Sequence, residues 1–327
     1  MRVSVIGCGR WGSLIAWYLD RIGQTVTLYG RSNSAHFRSF AKTRSNGVLT
    51  LPESVELTSD LGEACRAEVL LISVPSQHLR GLLREMRALP LKSKDIVLCM
   101  KGIEEESGKR LSEIAEEELD PGNRVAVWLG PGHVQEFLAG IPNCMVIDSR
   151  YNDLKEKLIQ AFSGELIRFY YGEDLLGNEI GAATKNVIGI AAGILDGMKL
   201  STLKGALMSR GTHEIADLIR EMGGNPFSAY GLCHLGDYEA TVFSPYSHNR
   251  QFGECIATGK PYSELAEGYS TAAALQVLVK RYGVELPICS AVYRILYQGS
   301  KPEEEISGLF RRSLKKEWTF PKEGDRG

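Results

Sequence analysis

The chain has 327 residues, enough for two buried cores, and its 38 basic against 40 acidic residues leave a net charge of −2. That balance provides no electrostatic footprint for a nucleic acid, and no apolar run is long enough to span a bilayer, so nucleic-acid binding and membrane insertion are both set aside. The seven cysteines are scattered and never spaced as C-x-x-C, and no signal-peptide pattern opens the chain; a cytoplasmic protein with free thiols and no bound metal is expected.

Residues 3–12 read Val-Ser-Val-Ile-Gly-Cys-Gly-Arg-Trp-Gly. A β-prone run feeds directly into G-x-G-x-x-G. Gly7 permits a tight turn off the strand, Gly9 lets backbone approach a pyrophosphate, and Gly12 lets the next helix pack close to the sheet. The pyrophosphate then rests on amides at that helix N-terminus. Helical spacing at Leu14, Ile15, Tyr18 and Leu19, then a second strand at Thr25–Tyr29, complete a βαβ start of about 30 residues. No acidic residue closes the second strand; Gly30, Arg31 and Ser32 follow it. Arg31 either faces a 2′-phosphate, which favours NADPH or use of both NADPH and NADH, or is a solvated arginine at a strand end.

Apolar runs at 68–74, 95–100, 124–129, 144–147 and 165–170 alternate with helical patterns at 77–86, 109–118 and 154–162. This alternation predicts an α/β, Rossmann-type doubly wound sheet, mostly parallel, with ligands beyond the carboxyl ends of the strands. Gly7, Val74, Lys101 and Gly130 then share one crevice. After about residue 175 strand signals fade, and helical runs appear at 179–196, 203–222, 271–282 and 290–297. The expected organisation is a dinucleotide-binding domain at 1–178, an all-α domain at 179–310 carrying substrate and catalytic groups, and a charged, solvated tail at 311–327.

Three segments depart from routine packing. Lys101 directly follows a buried strand, and Gly130-Pro131-Gly132 directly follows another. Residues 177–193 form a helix so apolar that it must be buried, yet it carries Lys185. A buried lysine needs a partner, snorkels to water, or acts as a general acid or base with a depressed pKa. The polar, glycine-rich stretch 231–253 is long for a connection without function. In it, Asp237 is placed to orient a lysine, and Ser247, His248, Asn249 and Arg250 to hold an anion.

Taken together these pieces resemble the NAD(P)H-dependent glycerol-3-phosphate dehydrogenases, from Met1 to about Pro302. The matching pieces are G-x-G-x-W-G at 7–12, Val-Pro-Ser at 74–76, Lys-Gly-Ile at 101–103, Gly-Pro at 130–131, Thr-Lys-Asn-Val-Ile at 184–188, Gly-Asp at 236–237, Asn-Arg at 249–250, Phe-Gly at 252–253 and Glu-Gly at 267–268. The resemblance implies NADPH or NADH as cofactor and reduction of dihydroxyacetone phosphate to sn-glycerol 3-phosphate for phospholipid synthesis. It implies Lys185 as proton donor and acceptor, with Lys101 and Asp237 beside it. Cofactor contacts would come from Gly7, Gly9, Arg10, Trp11, Gly12, Arg31, Lys101, Val134, His248 and Glu267. Substrate contacts would come from Lys101, Gly130, Gly132, Lys185, Asp237, Ser247, His248 and Asn249. A homodimer is the expected assembly. This chain departs from the family pattern at His248, where the family carries a phosphate-binding Arg, at Gly132, usually Ser or Thr, and at Val134, usually Ala. The departure at 248 leaves open a relative acting on another hydroxy or keto substrate, and a cofactor-binding sensor without catalysis is the third alternative.

Overall fold

The computed structural model describes residues 1–89, 91–314 and 316–317, so most of the charged tail expected at 311–327 lies outside the described residues. Eight strands, β1 (Arg2–Ile6), β2 (Thr25–Tyr29), β3 (Glu56–Thr58), β4 (Val69–Ile72), β5 (Asp95–Leu98), β6 (Arg124–Leu129), β7 (Asn143–Ser149) and β8 (Ile167–Tyr171), build one sheet in the order β3-β2-β1-β4-β5-β6-β7-β8. All pairs are parallel except β6–β7. The order reverses between β1 and β4, which opens a crevice at the carboxyl ends of those strands.

Helices α1 (Arg10–Arg21), α2 (Ala35–Thr43), α3 (Leu61–Ala64), α4 (Leu79–Arg87), α5 (Leu111–Glu118), α6 (Val134–Leu138) and α7 (Asn152–Phe162) accompany the sheet. The central strands are apolar without alternation because both faces are covered: Val3, Val5 and Trp128 pack into one core, and Ile6, Leu70 and Ile72 into another. Gly7 has φ +117°, and a Cβ there would fall 2.1 Å from the Ser73 carbonyl oxygen. The first glycine thus serves both the turn and the close approach of β1 to the loop after β4.

A third core surrounds α8 (Leu175–Gly197), which starts four residues before the expected position, and is completed by α9 (Lys204–Glu221), α10 (His248–Thr258), α11 (Gly268–Tyr282), α12 (Pro287–Gln298) and α13 (Pro302–Phe310). The long, near-continuous apolar face of α8 makes it the axis of this bundle. It crosses α10 so closely that a Cβ at Gly193 would lie 1.9 Å from the Arg250 carbonyl oxygen, and one at Gly253 2.0 Å from that of Ile190. The stretch 231–253, expected as a loop, folds instead into helical turns at Leu235–Asp237 and Glu239–Phe243 and the start of α10. Ser247 caps α10 by accepting the Arg250 N–H. Among the described residues, no helix is long and apolar enough to cross a membrane.

Candidate active site

Two buried or half-buried lysines from different elements converge on one carboxylate. Lys101 follows β5 and Lys185 lies in the middle of α8. Asp237, 1% exposed, places Oδ2 2.5 Å from Lys101 Nζ and 2.9 Å from Lys185 Nζ. Lys101 Nζ also donates to the Gly130 carbonyl oxygen at 2.7 Å, and Lys185 Nζ to Thr241 Oγ1 at 2.7 Å. Thr241 in turn donates to the Asp237 carbonyl oxygen at 2.7 Å. An ammonium has three donors, so each lysine keeps one N–H uncommitted by these contacts.

Burial pushes the Lys185 ammonium down to about 8; repulsion from Lys101 adds to the fall and attraction to Asp237 opposes it. Desolvation is the larger cause and repulsion between the two ammonium groups the smaller, since a carboxylate stands between them. Thr241 was not legible as a site residue. Its one signal is the spacing of four from Asp237, realised here where the 3-10 turn that ends at Asp237 runs into the π-helical turn Glu239–Phe243.

The cofactor side of the crevice is built from α1 and the loops after β2 and β4. Gly9 caps α1 without a side-chain hydrogen bond, and a Cβ there would meet no atom within 4 Å. The first-turn amides therefore present a bare backbone face, which suits a pyrophosphate. Trp11 packs its ring 6.1 Å from that of Phe137. Arg31 is exposed and makes no ion pair among the described residues. Glu267, at the start of α11, accepts the Ser76 N–H at 3.0 Å and the Ser76 hydroxyl, which ties the helical part to the loop after β4. Burial raises its carboxyl above the usual carboxylate range, against the pull of those bonds.

The departures from the family pattern have local causes. Gly132 has φ +136°, and the Phe137 ring fills the space of a Cβ there, at 2.4 Å. Serine or threonine would clash and be strained. Val134 is buried at the first position of α6. Of the anion-binding group expected at 247–250, Arg250 is drawn away: it pairs with Asp196 at 2.8 Å and Glu254 at 3.3 Å and donates to the Ser244 carbonyl oxygen. Asn249 bridges α8 and α11, donating to Asn186 Oδ1 at 3.1 Å and accepting the Gly268 N–H at 2.9 Å. His248 Nδ1 meets the Tyr262 hydroxyl at 2.9 Å, and its Nε2 meets Arg10 Nη1 at 2.6 Å across the crevice.

Comparison with known proteins assigns this architecture. Residues 2–155 match the family model described as NAD-dependent glycerol-3-phosphate dehydrogenase N-terminus, and residues 174–307 match the corresponding C-terminus. The chain is 36% identical to a glycerol-3-phosphate dehydrogenase [NAD(P)+] of Chlorobium phaeobacteroides, covering 97% of this chain and 99% of that protein. It is 35% identical to a protein of the same name from Thermoanaerobacter sp., over 97% and 99%. The crystal structure of a glycerol-3-phosphate dehydrogenase from Coxiella burnetii superposes with a TM-score of 0.90 at 28% identity, covering 95% of this chain and 99% of that one. The chain belongs to the NAD-dependent glycerol-3-phosphate dehydrogenase family and is an NAD(P)-dependent oxidoreductase.

Proposed function

We propose that this protein reduces dihydroxyacetone phosphate to sn-glycerol 3-phosphate, with Lys185 as proton donor, and so supplies the backbone of glycerophospholipids. The single observation that carries the reading is the Lys101–Asp237–Lys185 cluster at the carboxyl end of the sheet. A bound nicotinamide supplies the hydride to the carbonyl carbon. The residues of the chain manage the charge that this creates. Lys185 holds a proton at Nζ and gives it to the carbonyl oxygen, becoming a neutral amine that is reprotonated from solvent. With its pKa near 8, the group is charged at neutral pH yet close enough to transfer efficiently in either direction. Lys101 directs its remaining N–H at the same oxygen and stabilises negative charge as it develops. Asp237 keeps both amines in register and prevents their repulsion from emptying the site of protons. In the oxidation direction Lys185, neutral, removes the hydroxyl proton.

Gly7, Gly9, Trp11 and Gly12 would hold the cofactor phosphates, with Val134 and Glu267 lining the rest of that groove. Gly130, Gly132, Ser247 and Asn249 would border the substrate. The seven cysteines are all unpaired, which fits a cytoplasmic protein. A homodimer fits the exposed Tyr170 and Tyr171 on the edge strand β8, where a second copy could cover them.

The test is NADPH oxidation by the purified protein with dihydroxyacetone phosphate against a panel of 2-keto acids. Turnover confined to the phosphate ketone is expected. Turnover with a keto acid alone would move the protein to a different hydroxyacid substrate, and NADPH binding without any turnover would make it a sensor. Cofactor choice has its own test. Arg31→Ala is expected to weaken NADPH by about tenfold or more, the worth of a charge-assisted hydrogen bond, and to leave NADH nearly unchanged. Equal losses for both nucleotides in a fluorescence titration would remove Arg31 from the 2′-phosphate.

A further inference from the structure

We infer that Arg10 binds the phosphate of the substrate, reaching across the crevice from the cofactor loop, with His248 as the residue that positions it. The inference rests on the reading above and adds a residue to that site. Arg10 opens α1 and His248 opens α10, 238 positions later in the chain, and the two side chains meet at 2.6 Å. A guanidinium can only donate, so His248 Nε2 is the acceptor. The imidazole is then neutral, with its proton on Nδ1, where the Tyr262 hydroxyl at 2.9 Å accepts it. Burial and the neighbouring Arg10 charge both lower the His248 pKa, which agrees with that tautomer.

This arrangement spends one N–H of Arg10 on steering and leaves the rest of the fork. The side chain is half-buried, yet it makes no ion pair among the described residues. Arg250, another arginine of this region, is paired with Asp196 and Glu254 and donates to the Ser244 carbonyl oxygen. Among the described residues, Arg10 thus has no counter-ion, like Arg31, but unlike Arg31 it is half-buried and held in place by His248. Its planar fork matches two oxygens of a phosphate monoester. The amino ends of α1 and α10, 12 and 11 residues long, add their positive dipole ends to the same gap. The charge missing at position 248, where the family carries Arg, is therefore supplied from the opposite wall by position 10.

Two phosphates would approach this wall on the reading above, that of the substrate and the pyrophosphate of the cofactor, and steady-state kinetics separates them. Arg10→Ser is expected to raise the KM for dihydroxyacetone phosphate about 10- to 100-fold and the KM for NADPH by a clearly smaller factor, with kcat changed less than about threefold. The Ki of inorganic phosphate, used as a competitive probe against the ketone, should rise by the same factor. The double variant Arg10→Ser with His248→Arg returns the guanidinium from the other side and is expected to recover most of the lost affinity, which a merely structural role for Arg10 would not allow. An unchanged ketone KM and phosphate Ki in Arg10→Ser, a rise confined to the KM for NADPH, or no recovery in the double variant would overturn the assignment. If the wild-type protein failed to turn over the ketone, the functional reading would fall. Loss of calorimetric phosphate binding in Arg10→Ser would still support the site.

Discussion

Lys185→Met is expected to lower kcat for reduction by a factor of about 10²–10⁴, the range that a positioned general acid supplies. Methionine keeps the length and the apolar stem that the core around α8 packs against, so the fold should survive. NADPH affinity should stay within a few-fold, because the bare first turn of α1 and Arg31 lie on the other wall of the crevice. Lys101 would remain paired with Asp237 and Gly130, so the residual rate measures charge stabilisation without proton transfer. Stopped-flow single turnovers would separate this chemical loss from binding. A variant within tenfold of wild type would remove Lys185 from the reaction.

Asp237→Asn should do damage of a different kind. The carboxylate is buried between two ammonium groups, and its charge is what permits Lys185 to stay protonated against desolvation. An opposite charge at contact distance is worth about 1–3 pKa units, so its loss should move the Lys185 pKa well below 8. Reduction at neutral pH then falls by about 2- to 100-fold, as the protonated fraction shrinks, and recovers as the pH is lowered. Stability falls as well, by about 3–5 kcal/mol, because buried ammonium charge is left without its partner. The sign of its pH dependence follows from linkage. The folded lysine has a pKa below the ordinary 10.5, so between the two values the unfolded chain binds more protons and stability rises with pH. Urea melts of the variant should therefore show a smaller deficit at pH 9 than at pH 7.

Much of this site was readable because four of its anchors sit where one-dimensional patterns are strong. Strands β1, β4, β5 and β6 are apolar runs, and Gly7, Lys101 and Gly130 stand just past their ends, so the doubly wound topology places them together. Lys185 announced itself as a lysine inside an otherwise apolar helix. Other features had no such signal. β3 has three residues, and the turns at Leu235–Asp237 and Glu239–Phe243 are too short for any period to show. The antiparallel β7 is invisible to a pattern that reads burial but not direction. Arg250 looked like an anion ligand because it neighbours Asn249, whereas an acidic residue 54 positions away claims it. The contact between Arg10 and His248 joins the first and last thirds of the chain and follows only from how α8 and α10 cross, through the bare backbone at Gly193 and Gly253.

The pH dependence of kcat/KM for NADPH-driven reduction of dihydroxyacetone phosphate bears most directly on Lys185 as the proton donor, since it reports the free enzyme's essential groups. The rate should be level in the neutral range and fall about tenfold per pH unit above a break near 8, while glycerol 3-phosphate oxidation rises through the same break. A reduction profile that stays flat to pH 10, or one whose break persists unchanged in Lys185→Met, would contradict it.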